Sequence, residues 1–412
     1  MRIIPRNTIR IKFSRLKKIA FTLSLFVNLH VLKCIIYILK IFLKPAVSRK
    51  NNTILYFENF PIENSGYQYR AQKWCEKLNN YDYKAKVITT NYRKSKYDFE
   101  FMDINQYLIK SMWIRFFQIC KSRKCEFVIV RRELLLYNDY GNLFMDKFLL
   151  HFHPSAILDI DDDIAATKKE PRIIKGIIPV LLQENGNKTI TTLNMYKTLI
   201  VVSDYLKAYF KKFINSDHSK MVVIPTCVNY NEYSPKVYKQ NNLITLGWIG
   251  GNQNYFLLDN ILPVLDRLAE NFKFKLLVIG GNQYLRETNF PIKFKKWSLN
   301  DEINAIREID IGLMPLDNSD QSKGKGGFKL IQYMGMGVAS VASNITVNKR
   351  IADNTKNSFL VESEDDWFNV LKKIMQCKYD LSEIGGEARK KILKAYTFDS
   401  NIDNYLSILK KY

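Results

Sequence analysis

One alternation, run through once and then begun again, constrains the fold of this chain more than anything else in it. Short β-like apolar runs stand at 53–57, 86–89, 127–130, 156–158, 199–202 and 222–224, the last stopped by Pro225. Helical spacing lies between them, as at 67–79, where Ala71, Trp74, Cys75 and Leu78 recur on one face. The series restarts with strand-like runs at 243–249, Phe274–Ile279, 292–296, 309–314 and 338–342. Helical segments at 260–269, 301–307, Phe328–Gly335, 365–375 and 381–396 separate and follow them. Strands that alternate with helices predict a parallel sheet with right-handed crossovers. The restart predicts two such sheets. The fold class is therefore α/β, with two doubly wound Rossmann-like domains facing a cleft, preceded by a basic amphipathic N-terminal helix.

Length agrees. At roughly 100–200 residues per domain, 412 residues make two domains and a short extra segment. The divisions read from the text are 1–50, a basic and apolar segment; 51–237, the first domain; 238–395, the second; and 396–412, a tail returning towards the first domain. The joint falls in the polar stretch around Pro235. Six dispersed Cys exclude a disulfide scaffold, and four His do not support an elaborate His-metal site. Ligands of doubly wound sheets sit at the C-terminal strand edge, which makes those edges the first place to look for chemistry.

The net charge of +23 is unevenly placed. Residues 1–57 hold twelve Lys and Arg and no acid, so this segment supplies about half of the surplus. Seven of the twelve fall in the first 18 residues, and an apolar stretch, 19–43, follows. Its longest charge-free run, 19–32, is short against the roughly 20 residues of a bilayer span. Lys33, Lys40 and Lys44 share one helical face, which suits a helix lying in the headgroup layer. A single span with snorkelling lysines and a cleaved signal peptide are the alternatives; no A-x-A-like cleavage site follows. The long apolar neighbour argues against a nucleic-acid-binding arm. The expected partner of 1–50 is a membrane surface, and the expected place the cytoplasmic face of the plasma membrane.

The strongest motif is 310–343, DIGLMPLDNSDQSKGKGGFKLIQYMGMGVASVAS. A buried strand enters a loop with Lys323, Gly324, Lys325, Gly326 and Gly327, which opens into a helix carrying Lys329. Glycines admit an anion close to backbone N–H groups, a helix N-terminus adds positive potential, and lysines add full charges. The loop suits a phosphate or pyrophosphate; the bland reading is a solvated lysine loop. A P-loop is excluded, because residues 323–330 read KGKGGFKL.

This segment resembles the signature of the retaining glycosyltransferases of family 4 (glycosyl transferases group 1), which have the GT-B fold, and is most similar to a bacterial surface-polysaccharide branch. Residues 246–252 (LGWIGGN), 223–229 (VIPTCVN), 157–164 (ILDIDDDI) and 65–70 (SGYQYR) continue the resemblance from about 52 to 400. It implies a nucleoside diphosphate sugar as donor, a lipid-linked or lipopolysaccharide/capsule-type glycan as acceptor, and neither cofactor nor metal. The leaving diphosphate must then be stabilised by cations and helix dipoles. Lys325 and Lys329 are the candidates, with Gly324, Gly326 and Gly327; Gly250 and Gly251 open the donor domain.

Two departures stand out. The family's cation-bearing loop after the first donor-domain strand reads GGNQNY at 250–255, without a cation. The family's paired Glu positions are Gly324 and Gln332, so Gln332 would meet the ribose as a neutral partner, and retention is inherited from the resemblance alone.

The acidic strand end Asp159 to Asp163 reads as acceptor-orienting or basic groups, chiefly Asp161 and Asp162, against a solvated helix cap or a DxD-type metal site. Gly66 and Arg70, after the first strand, read as phosphate or acceptor contacts. Trp297 and Ser298 stand where the nucleotide base lies in such folds. His151 and His153 read as structural more than catalytic.

Overall fold

The computed structural model describes residues 15–44, 51–90, 101–135, 143–161, 187–214, 220–238, 243–281 and 286–410. Residues 1–223 with 408–412 form one compact unit, and 224–407 form the other. Residues 224–237, which the sequence reading gave to the first domain, belong to the second unit. Val228 and Tyr233 are fully buried in its core, and Val228 bridges to Thr397.

The first unit is built on six strands: β1 (Thr53–Glu58), β2 (Lys84–Thr89), β3 (Phe127–Arg131), β4 (Ile157–Ile160), β5 (Thr198–Val201) and β6 (Lys220–Val223). Their order is β2-β1-β3-β4-β5-β6, and every pairing is parallel. The inner strands are buried throughout and mostly apolar, as a sheet covered on both faces requires. Edge strand β2 (KAKVIT) instead exposes Lys84 and Lys86, which blunts its unpaired side. The chain runs from β1 outwards to β2 and then back past β1 to β3, so the topological switch point lies between β1 and β3.

An N-terminal helix, Arg15–Phe42, is part of this unit. Leu25, Leu29, Leu32 and Ile36 enter the same core as Leu55, Val128 and Val130. They meet the helices Phe101–Ser122 and Phe144–Phe152 there. Full burial of such side chains contributes roughly 1.5–3 kcal/mol each.

The second unit repeats the plan with β7 (Ile244–Ile249), β8 (Phe274–Ile279), β9 (Ile292–Lys295), β10 (Ile311–Met314), β11 (Ala339–Ser343) and β12 (Phe359–Val361). The order is β12-β11-β10-β7-β8-β9, all parallel, with the switch point between β7 and β10. Alternate residues feed two cores. Leu246, Trp248, Leu276 and Val278 pack with the helices Leu262–Ala269 and Glu364–Met375. Ile249, Leu277 and Ile279 pack on the other face with Phe328–Gly335 and Leu381–Ala395.

Candidate active site

The second unit gathers its candidates at the β7/β10 switch point. Behind β7 come Gly250 and Gly251, a 3-10 turn over Asn252–Asn254, and the helix Tyr255–Asp259. Behind β10, Ser319 caps the short helix Asp320–Lys323 by accepting from the Ser322 N–H at 3.2 Å. Gly324 ends that turn, its N–H donating to the Asp320 carbonyl at 2.9 Å. Lys325 and Gly326 follow. Gly327 then turns the chain into the Phe328–Gly335 helix with φ +68°, a left-handed conformation that glycine adopts without strain. A β-carbon there would also stand 2.4 Å from Ile351 Cδ1. Gly327, as the N-cap, supplies no side-chain acceptor to this helix N-terminus.

The two loops meet. Lys325 Nζ donates to Asn254 Oδ1 at 3.2 Å. Lys329 Nζ lies over the Trp248 ring, 4.2 Å from its centroid. A β-carbon on Gly250 would fall 2.8 Å from that ammonium and 2.3 Å from the Trp248 ring, so glycine there is what lets the lysine approach. Among the described residues no carboxylate forms an ion pair with Lys325 or Lys329. Burial, and then the charge of Lys325, pull the Lys329 ammonium down to about 7. A desolvated lysine beside a second lysine, with no acid paired to either, is a site short of negative charge.

Trp297 packs against Gly280 at the end of β8, and its indole N–H donates to buried Glu302 at 2.8 Å. Ser298 is exposed and lies before the Glu302–Arg307 helix, its carbonyl accepting from the Glu302 N–H at 2.9 Å. Gln332 is buried, and its amide nitrogen donates to the Tyr233 hydroxyl at 3.3 Å, which leaves Oε1 as its remaining acceptor.

The first unit has its own charged cluster at the β1/β3 switch point. Glu58 ends β1, Arg131 ends β3, and Asp159 and Asp161 come from the end of β4. Arg131 reaches Glu58 and Asp161, each at 2.7 Å. Arg132, with φ +61°, adds a second guanidinium to Asp161. Asp159 accepts from Arg70 and from the Tyr56 hydroxyl. Arg70 is buried on a π-helical turn, Tyr67–Gln72, which precedes the α-helix Lys73–Asn79 where the sequence predicted one continuous helix. Such turns recur at functional positions. Gly66 precedes that turn, and its N–H donates to Asn64 Oδ1 at 2.9 Å.

These contacts bear on the roles read from the sequence. Burial alone would raise the Asp161 pKa, but Arg131 and Arg132 hold it well below the usual carboxylate range. Asp161 is therefore ionised and engaged on both oxygens, and a proton-accepting or metal-binding role would have to break those ion pairs. Asp162 and Asp163 lie outside the described residues. His151 Nε2 is 2.9 Å from the Leu43 carbonyl, and buried His153 sits against Ser122, both structural settings. Trp248, Asn254, Glu58, Arg131 and Arg132 escaped the sequence reading. The Arg131–Arg132 pair at a strand end was the one available signal.

Residues 240–377 match the sequence profile of the family described as glycosyl transferases group 1. No curated protein matches the chain. Among solved structures, the chain is similar to a sucrose-phosphate synthase from Thermosynechococcus elongatus, at 10% identity and TM-score 0.63, over 87% of this chain and 98% of that one. It is similar to Alr3699/HepE of Anabaena, solved with UDP and glucose, at 10% identity and TM-score 0.59, over 87% and 100%. It is also similar to the lipopolysaccharide outer core galactosyltransferase WaaB, at 11% identity and TM-score 0.55, over 87% and 99%. At these identities the likeness establishes the fold, the two Rossmann-like domains of GT-B proteins.

Proposed function

We propose that this chain is a GT-B glycosyltransferase that transfers a sugar from a nucleoside diphosphate sugar to a lipid-linked or lipopolysaccharide/capsule-type glycan at the cytoplasmic face of the plasma membrane. The observation that carries the reading is the meeting of Lys325 and Lys329, unpaired with any described carboxylate, with the glycine turn after β7 and the N-terminal turn of the Phe328–Gly335 helix. The group 1 match covers this same region, and one structural neighbour was solved with UDP and glucose.

A diphosphate placed there gains its negative charge as the glycosidic bond breaks. Preorganised cations and N–H dipoles stabilise that developing charge more than the intact donor, which is what accelerates the chemical step. The reaction so read is metal-independent. Retention of anomeric configuration is carried over from the resemblance alone. Arg70 and the Arg131–Asp161 cluster form a rigid polar edge in the first unit, suited to holding acceptor hydroxyls more than to removing their protons. The lipid-linked acceptor agrees with the basic N-terminal segment and with the outer-core activity in WaaB's name.

The test is release of nucleoside diphosphate from a panel of sugar nucleotides by the detergent-purified chain, with and without EDTA and acceptor glycolipid. Release from one donor, indifferent to EDTA, supports the reading, while release abolished by EDTA defeats the metal-free form. A second reading, a non-catalytic sugar-nucleotide-binding partner, is favoured by the neutral Gly324 and Gln332 at the family's Glu positions; donor binding without turnover under any acceptor would select it. An epimerase would turn over donor without an acceptor glycan.

A further inference from the structure

The Arg15–Phe42 helix has two apolar faces. At about 100° per residue, Leu25, Leu29, Leu32 and Ile36 fall on one side, and all are 5% exposed or less. On the opposite side stand Leu23, Val27, Ile38, Ile41 and Phe42, between 51% and 76% exposed, with exposed Ser24 and His30 among them and Phe26, 45% exposed, on the flank. A helix on a protein surface normally turns a polar face outwards, and a contiguous apolar surface marks something that covers it.

We propose that the outer face is a lipid-binding surface, and that the helix lies in the plane of an anionic bilayer's interface, held to the first unit by its inner face. The inference rests on the membrane part of the reading above and commits it to one geometry; its failure would leave the donor site untouched.

Length does not decide the matter. Leu23–Phe42 is 20 residues of mean hydropathy 1.9, enough to cross a bilayer by length and composition alone. Packing does decide it. A crossing helix would have to withdraw Leu25, Leu29, Leu32 and Ile36 from the core they share with the sheet. It would also withdraw Lys33, whose ammonium lies 5.3 Å from the centroid of the Phe144 ring. An in-plane helix keeps all of these contacts.

Charge selects the occupant. Residues 1–57 carry twelve basic side chains and no acid. A second copy docked on this face would bring two acid-free cationic segments together, whereas anionic headgroups neutralise them. Lys33 and Lys40 lie on one flank, about 110° round from the centre of the outer face, and Lys44 follows the helix end, so their stems can rise to headgroups while the apolar side chains enter the acyl boundary.

Cys34 lies near the centre of the outer face and is exposed. In full-length protein carrying Cys377→Ser, which removes the other exposed cysteine, Cys34 is labelled with an environment-sensitive fluorophore. Vesicles of phosphatidylcholine, with and without phosphatidylglycerol, are then added, and quenching by lipids brominated at shallow or deep acyl positions is compared. The expected result is a blue shift with anionic vesicles, far weaker with neutral ones, and stronger quenching by the shallow bromines. The triple variant F26S/I38S/F42S should partition about a hundredfold less while keeping its circular dichroism and sugar-nucleotide binding. Stronger quenching by deep bromines would overturn the proposal in favour of a span. Absence of binding to both vesicle types would overturn it outright, and a wild-type dimer in detergent-free solution that the triple variant splits would give the face to a second copy.

Discussion

The ammonium of Lys329 rests 4.2 Å from the ring centroid of Trp248, in a place that only glycine at 250 leaves open. The indole is fully buried at the end of β7, and the lysine arrives from the first turn of the Phe328–Gly335 helix, beyond β10. The contact therefore ties together the two strands that flank the switch point. Cation–π attraction offsets part of what burial costs the ammonium, and no carboxylate among the described residues pairs with it.

Burial and the neighbouring charge of Lys325 bring Lys329 down to about 7. The sign follows directly. Below that pH the lysine is a cation and attracts a diphosphate; above it the neutral amine does not. Affinity for UDP, measured by titration calorimetry, should fall as pH rises from 6.5 to 8.5, with proton uptake on binding near neutrality. Lys329→Arg, which keeps its charge throughout, should flatten the profile. A wild-type affinity that follows the variant's pH dependence would show that Lys329 does not titrate against the ligand.

Lys325 is held toward the β7 loop by its hydrogen bond to Asn254 at 3.2 Å. Lys325→Ala should lower donor turnover by roughly 100- to 1,000-fold, the scale of losing one preorganised charge-stabilising donor. Circular dichroism should be unchanged, because the side chain enters neither core cluster of the second unit. Wild-type-like turnover would remove the lysine loop from the chemistry.

Parallel strands with apolar cores announce themselves in sequence, and β1, β3, β7 and β8 were legible for that reason. The lysine loop was legible because glycines and lysines pack densely into a few residues just before a helix of apolar spacing. Trp248 was not, since a tryptophan in a strand reads as core, which it also is. The Arg131–Asp161 cluster depends on β3 and β4 being neighbours and on Arg132 adopting a positive φ, neither of which local composition encodes. The π-helical turn at Tyr67–Gln72 has the same apolar spacing as an α-helix over so short a stretch. The N-terminal helix showed its cationic stripe in sequence, but not that Leu25, Leu29 and Leu32 belong to a folded core.

His153 offers a test of the first unit's packing that is independent of catalysis. It is 5% exposed and sits against Ser122. Burial lowers it to about 4, against the weaker opposing effect of its hydrogen bond to the Ser122 backbone. The unfolded chain binds the proton at about 6.5, so between these values unfolding takes up a proton and stability falls with falling pH. His153→Gln should make urea-unfolding stability less sensitive to pH between 6.5 and 4. An undiminished slope in the variant would place the titration elsewhere.

Asp161 sets the last prediction. Its two oxygens hold Arg131 and Arg132 at 2.7 and 2.5 Å, and Arg131 is almost completely buried. Removing one partner of a buried ion pair leaves an uncompensated charge, at a cost of about 3–5 kcal/mol. Asp161→Asn should therefore lower the first unit's stability, though by less than that full amount, since Glu58 still pairs with Arg131. The pH dependence separates this role from that of a catalytic base. The depressed carboxylate contributes stability that is present above its unfolded value of about 4 and is lost as the pH falls further. Wild type should lose stability in that acid range more steeply than Asp161→Asn. The variant's kcat, measured where it remains folded, should change no more than its KM for acceptor. A variant of normal stability that has lost turnover selectively would return Asp161 to the role of a base.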